Sequence, residues 1–100
     1  MKVVFDPEAL VEIREAAAFY ESAKAGLGRG FLDALDRAVS LIRCHPLMYR
    51  RIKGRFRRYL LRRFPYAVIY TVDEDVIYVA AVMHLKRKPG YWLTRMDETS

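Results

Sequence analysis

The sequence predicts an α+β domain of order β-α-α-β-β-β, a helical hairpin packed on one face of a small, largely antiparallel sheet. Three observations predict it. Residues 6–45 carry apolar side chains at helical spacing, broken once by the glycines of "AGLGRG". Residues 55–83 change to runs rich in Val, Ile, Tyr and Phe. A short β-branched stretch, "KVVF", precedes both. At 100 residues, 53% hydrophobic and 30% charged, the chain reads as a single domain, residues 1–100, with room for one core.

The elements follow in order. After "KVVF", Asp6-Pro7-Glu8 combines an N-cap, a proline at the first helical position and an acid in the first turn, so a helix starts there. Leu10, Ile13, Ala17 and Tyr20 form its apolar stripe, with Glu12, Glu15 and Glu21 expected towards water. It should stop near Ala25-Gly26. A second helix is expected from about Arg29 to Phe31 onwards, burying Phe31, Leu35, Ala38, Val39 and Ile42 and ending before His45-Pro46. Strands are expected at 55–64, 66–72 and 75–83, the last two joined by the acidic turn Asp73-Glu74-Asp75. Pro65 belongs at a bulge or a break between strands. Tyr59, Tyr66, Tyr70 and Tyr78 are read as sheet and core residues and His45 as structural. The polar end, residues 96–100, is expected to fray.

Composition excludes several classes. One cysteine, Cys44, permits no disulfide framework and suggests a reducing cytoplasm. One Cys and two His give no recognisable zinc spacing, and neither a metal nor a cofactor is called for. No apolar run is long enough to cross a bilayer, and the N-terminus lacks the apolar core of a signal peptide.

The net charge of +6 is unevenly placed. Residues 1–48 carry six cations against seven acids, and residues 49–100 carry twelve against five, net +7. Such a half favours a polyanionic or acidic partner. Its centre is "RFRRYLLRRF", with Arg55, Arg57, Arg58, Arg62 and Arg63 interleaved among apolar residues. Alternation leaves open which parity faces the helices, because neither is purely apolar. Buried arginines need partners, so these must reach an open face, an edge or an anion.

The element order, the block "GRFRRYLLRRFPYAVIYTV" and the closing "VIYVAAVMHLKRKPGYW" resemble the RelE/ParE superfamily of type II toxin–antitoxin toxins, over roughly Val3 to Trp92. The resemblance implies a growth-inhibiting toxin, often linked to plasmid stabilisation. A cognate antitoxin with an acidic, amphipathic segment would neutralise it in a hetero-oligomer. Its target would be DNA gyrase in the ParE-like mode, or ribosome-bound mRNA, cut without a metal, in the RelE-like mode. For mRNA cleavage the resemblance implies Arg63 and Arg87 as phosphate clamps and His84 or Tyr91 as acid or base. Lys53, Arg57, Arg58, Arg62 and Trp92 are then candidate target- or antitoxin-binding residues. The lysine-rich loop of ribosome-dependent nucleases is represented only by Lys53, and no carboxylate stands beside a histidine in sequence, so the reading leans slightly to the ParE-like side. A non-catalytic, basic nucleic-acid-binding module is the alternative from a different class. One spatial expectation follows from the hairpin: Arg63, His84 and Arg87 should line a single anion-binding surface.

Overall fold

The computed structural model describes residues 1–95. Its elements are β1 (Lys2–Phe5), α1 (Pro7–Ala23), α2 (Leu27–Cys44), β2 (Arg51–Lys53), β3 (Phe56–Leu60), β4 (Tyr66–Asp73), β5 (Val76–His84) and a single 3₁₀ turn (Leu93–Arg95). The five strands lie in the order β1-β5-β4-β3-β2, with β1 parallel to β5 and every other pair antiparallel. Both helices pack on one face, as the predicted α+β class requires. The expected frayed end, 96–100, lies outside the described residues.

Asp6 caps α1 as its position suggests: Oδ1 accepts the Glu8 N–H at 2.8 Å, and Oδ2 accepts the Tyr78 hydroxyl at 2.6 Å. The buried stripe of α1 is Ala9, Ile13 and Ala16, while Leu10 is exposed, against expectation. The alanines let the helix lie close to its neighbours, which turns Leu10 outward. Glu21 also departs from the solvated role expected of it. Its carboxylate accepts the N–H groups of Gly26 and Gly28 and so caps α2, which begins at Leu27 rather than near Arg29. A Cβ on Gly28 would stand 2.6 Å from the Ala17 carbonyl, so only glycine permits this close helix crossing.

The arginine-rich segment departs most from the predicted strands. Gly54, at φ +55, turns the chain so that Arg51–Lys53 pairs with the start of β3, adding a strand the sequence did not suggest. The expected strand 55–64 ends at Leu60. Arg62 to Pro65 leave the sheet in a turn where Arg63 holds φ +72, while Leu61 and Phe64 reach back into the helix-side core. Pro65, without an N–H, sits at this break, as anticipated.

The core therefore has two parts. Val68, Tyr70, Ile77, Val79 and Val82 meet the helices, joined by the clustered rings of Tyr20, Phe31 and Phe64. Phe56, Ala67, Ile69, Ala81 and Met83 line the far face, which Trp92 covers. Ala80 is an extra residue in β5, since Ile69 faces Ala81 whereas Tyr70 faces Val79. Among the described residues no helix is long and apolar enough to cross a membrane.

Candidate functional site

Two β-turns and the C-terminal segment shape the face of the sheet away from the helices. Ile52, Ala67, Ile69, Met83 and Leu85 form the apolar floor of a 370 Å³ cleft, walled by Pro89, Gly90 and Trp92. Lys53, Arg58 and Arg87 stand at this cleft. Lys53 arrives from the β2–β3 turn, Arg58 from the outward parity of β3, and Arg87 from the turn after β5, where its N–H bonds the His84 carbonyl at 3.0 Å. Neither Lys53 nor Arg58 has an ion pair among the described residues. Cations over an apolar floor suit an anionic group attached to an apolar body.

Behind the cleft lies a feature that reading the sequence missed. Glu12, expected in water, has a side chain only 12% exposed. Oε1 accepts the Val82 N–H at 3.0 Å and Arg95 Nη1 at 3.1 Å. Oε2 accepts the Tyr91 hydroxyl at 2.6 Å, and Arg87 Nη1 and Arg95 Nη2 at 3.3 Å each. The reason is topological. β1 accompanies β5 only as far as Val79, so the next stretch of that edge lacks a strand neighbour. Glu12 satisfies the Val82 N–H, and Arg95 donates to the Ala80 carbonyl at 2.9 Å. The Arg87 guanidinium lies 3.6 Å from the centre of the Tyr91 ring, and that of Arg95 lies 5.0 Å away. Burial first, and the bond to Glu12 second, push the Tyr91 hydroxyl well above its ordinary value. It is a neutral donor held by Glu12. One signal was present in the sequence: Glu12 sits three residues after Ala9 and four before Ala16, on the face the alanines bury.

The remaining candidates are dispersed. Arg57 turns to the helix side and donates to the carbonyls of Leu47 at 3.0 Å and Tyr49 at 2.8 Å, which makes it a tether for the loop after α2. Trp92, expected as a contact residue, is 1% exposed; its ring lies 4.7 Å from Phe56 and its N–H meets Met83 Sδ at 3.3 Å. Its surface is consumed by the chain's own sheet. His84, Arg87 and Tyr91 share a groove with Glu12, Phe19 and Tyr66. The His84 ring packs edge-on to Tyr66, and its Nδ1 accepts the Lys86 N–H at 3.0 Å, which leaves Nε2 as the protonated nitrogen of the neutral ring. Arg63 does not join them. It lies with Arg62 in a niche against α2, beside Gly30, Asp33, Ala34 and Arg37, so the single surface expected for Arg63, His84 and Arg87 is not formed. The left-handed turn at Arg63 carries it off the strand, and alternation along a strand could not foresee that.

Comparison with known proteins agrees with this geometry. No curated protein matches the chain. Among solved structures, one described as the chromosomal ParDE TA system from P. aeruginosa superposes with a TM-score of 0.65 at 13% identity, covering 86% of this chain and 97% of that one. At that identity the likeness speaks for the fold. The family described as ParE toxin of type II toxin-antitoxin system, parDE, matches residues 3–89. With the match spanning both helices and all five strands, the chain belongs to the ParE toxin family of type II toxin–antitoxin systems.

Proposed function

We propose that the chain is the toxin of a type II pair, arresting growth by binding DNA gyrase without catalysis of its own until an antitoxin neutralises it. The observation that carries this is the commitment of the would-be catalytic groups. The Tyr91 hydroxyl and the Arg87 guanidinium are both bound to Glu12, and Arg63 stands in a different niche from His84. Metal-free RNA cleavage needs a base, an acid and a cation around one phosphate. What stays free is suited to binding: Lys53 and Arg58 over an apolar floor. In this reading Lys53, Arg58 and the exposed part of Arg87 meet the target or antitoxin.

A second reading, mRNA cleavage on the ribosome, draws on the groove that gathers His84, Arg87 and Tyr91. One experiment separates the two. The toxin is induced without antitoxin, and the cells are scored for DNA breaks and for cleavage of translated mRNA. DNA breaks with intact mRNA, reproduced with purified gyrase and supercoiled plasmid, are expected. Codon-phased mRNA cleavage without DNA damage would overturn the proposal in favour of the second reading.

A further inference from the structure

We infer that the loop joining α2 to β2 seats on an anionic phospholipid surface, where Leu47 and Met48 enter the acyl boundary and the flanking arginines meet headgroup phosphates. The inference goes beyond the toxin reading and does not depend on it. Leu47 is 65% and Met48 64% exposed, the most exposed large aliphatic side chains among the described residues. Leu41, in the last turn of α2, is exposed too, as is Met1, which lies against Ser40, Arg43 and Cys44 at the same end of that helix. Adjacent large apolar side chains held out in water mark a contact surface.

The loop that carries them is fixed from beneath. The Pro46 carbonyl accepts the Tyr70 hydroxyl at 2.8 Å, and the Leu47 and Tyr49 carbonyls accept Arg57 Nη1 at 3.0 and 2.8 Å. The His45 carbonyl accepts the Met48 N–H at 3.1 Å. A carbonyl carried into an acyl layer without a partner is costly. Here the carbonyls of His45, Pro46, Leu47 and Tyr49 are answered from within the protein, so the tip can leave water without stranding them.

Charge selects the surface. Between Asp36 and Asp73 the chain has ten cations and no acid. Arg43, Arg50 and Arg51 flank the tip, are exposed, and have no ion pair among the described residues. Tyr49 and Arg50 continue into the β3 groove, beside Arg58, Leu60 and Arg62. Long arginine stems keep guanidinium groups at headgroup level while the aliphatic pair goes deeper. One short apolar anchor or one basic patch holds a membrane weakly, and the two together suffice for reversible attachment. A second copy of the chain would bring the same cations face to face, at +6 each. A nucleic acid would use the cations and leave the aliphatic pair idle.

The test floats the full-length protein with vesicles of phosphatidylcholine, and with vesicles of equal parts phosphatidylcholine and phosphatidylglycerol, beside a titration with polyglutamate. Saturable, salt-sensitive binding to the mixed vesicles is expected, with little to phosphatidylcholine. Leu47→Ser combined with Met48→Ser should weaken it about tenfold or more, as loss of two inserted side chains requires, without lowering the melting temperature. Arg50→Gln combined with Arg51→Gln should also weaken it about tenfold or more. In Met48→Trp, brominated acyl chains should quench the new indole, since Trp92 is buried. Absence of binding to the mixed vesicles, unchanged affinity in the serine pair, or an unquenched Met48→Trp would overturn the inference. So would a lowered melting temperature in the serine pair, since the side chains would then serve the fold. Tighter binding of polyglutamate that depends on Leu47 and Met48 would assign the tip to an acidic protein instead.

Discussion

Replacing Glu12 should do far more damage than replacing any other acid on α1, although it sits among residues that read as a solvated face. Its carboxylate accepts five hydrogen bonds from four residues and is nearly sequestered from water. Glu12→Ala leaves the Val82 N–H and the Tyr91 hydroxyl without their acceptor, and the Arg95 guanidinium with the Ala80 carbonyl but no counter-charge. Arg95 is 14% exposed, so its charge is stranded, a loss of about 3–5 kcal/mol for a broken buried pair. Arg87 adds little, because its side chain is 54% exposed and water replaces the bond. Glu12→Gln keeps the volume and an oxygen for Val82, but points an NH₂ at other donors; about 1–3 kcal/mol is expected. Against a total of about 5–15 kcal/mol, the alanine variant is severe and the glutamine variant survivable. Trp92, the only tryptophan, reports on the outcome because the segment it anchors is the one Glu12 latches. Urea unfolding followed by circular dichroism should show a lower midpoint for both variants. Native-state tryptophan emission should shift to the red in Glu12→Ala if residues 91–95 undock. The double variant Glu12→Gln, Tyr91→Phe should cost less than the sum of the singles. An unchanged midpoint with unchanged emission would refute the reasoning and return Glu12 to the surface.

Two further outcomes are expected. Burial pushes the Tyr70 hydroxyl up to about 12, opposed in part by nearby Arg57, while the hydroxyl donates to the Pro46 carbonyl at 2.8 Å. A raised folded value means the fold holds the proton more tightly. This stability is complete below pH 10, is lost as pH rises towards 12, and amounts to about 2–3 kcal/mol at about 1.4 kcal/mol per pH unit. Tyr70→Phe should flatten that part of the alkaline melting profile, and an identical profile would remove Tyr70 as its source. Salt should act oppositely on the free chain and on its complex. Screening relieves self-repulsion and raises the melting temperature of the free chain, but it slows association with an acidic partner. A rate independent of salt would mean that the clustered arginines do not steer encounter.

Much of the fold was legible because it is written in local chemistry. Asp6-Pro7-Glu8 starts α1, glycines separate the helices, His45-Pro46 stops α2, and Asp73–Asp75 closes the last hairpin. The class followed from those signals. The misses share a cause, which is that tertiary contacts decided between locally equivalent options. Leu10 and Ala9 are both acceptable core residues for a helix, and only the close approach of the helix selected alanine. Glu12 and Glu21 resemble solvated acids, yet each is recruited by backbone N–H groups left without partners elsewhere, one at the β5 edge and one at the start of α2. Tyr91 and Trp92 look like an exposed aromatic pair in a basic tail. They fold inward because the far face of the sheet is itself apolar and needs a cover. The candidate site was least legible of all, since it depends on which arginines find partners.

That question has a specific answer in the arginine-rich stretch. Arg55 lies 3.8 Å from Asp73, both largely exposed, a pair that contributes little. Arg57 is turned into structure by two loop carbonyls. Arg58 alone stays on the strand with its charge unanswered, at a position reached from both the cleft and the β3 groove. Arg62 and Arg63 avoid burial because the strand stops before them, at the expense of a left-handed residue. A fold selected for stability alone would place glycine or asparagine at position 63 and interleave acids along β3. Keeping three unpaired cations at one end of a strand raises the local potential of the free protein, an unfavourable state that an anionic partner relieves on arrival. The opposite signs expected for salt on the free chain and on the complex follow from that single arrangement.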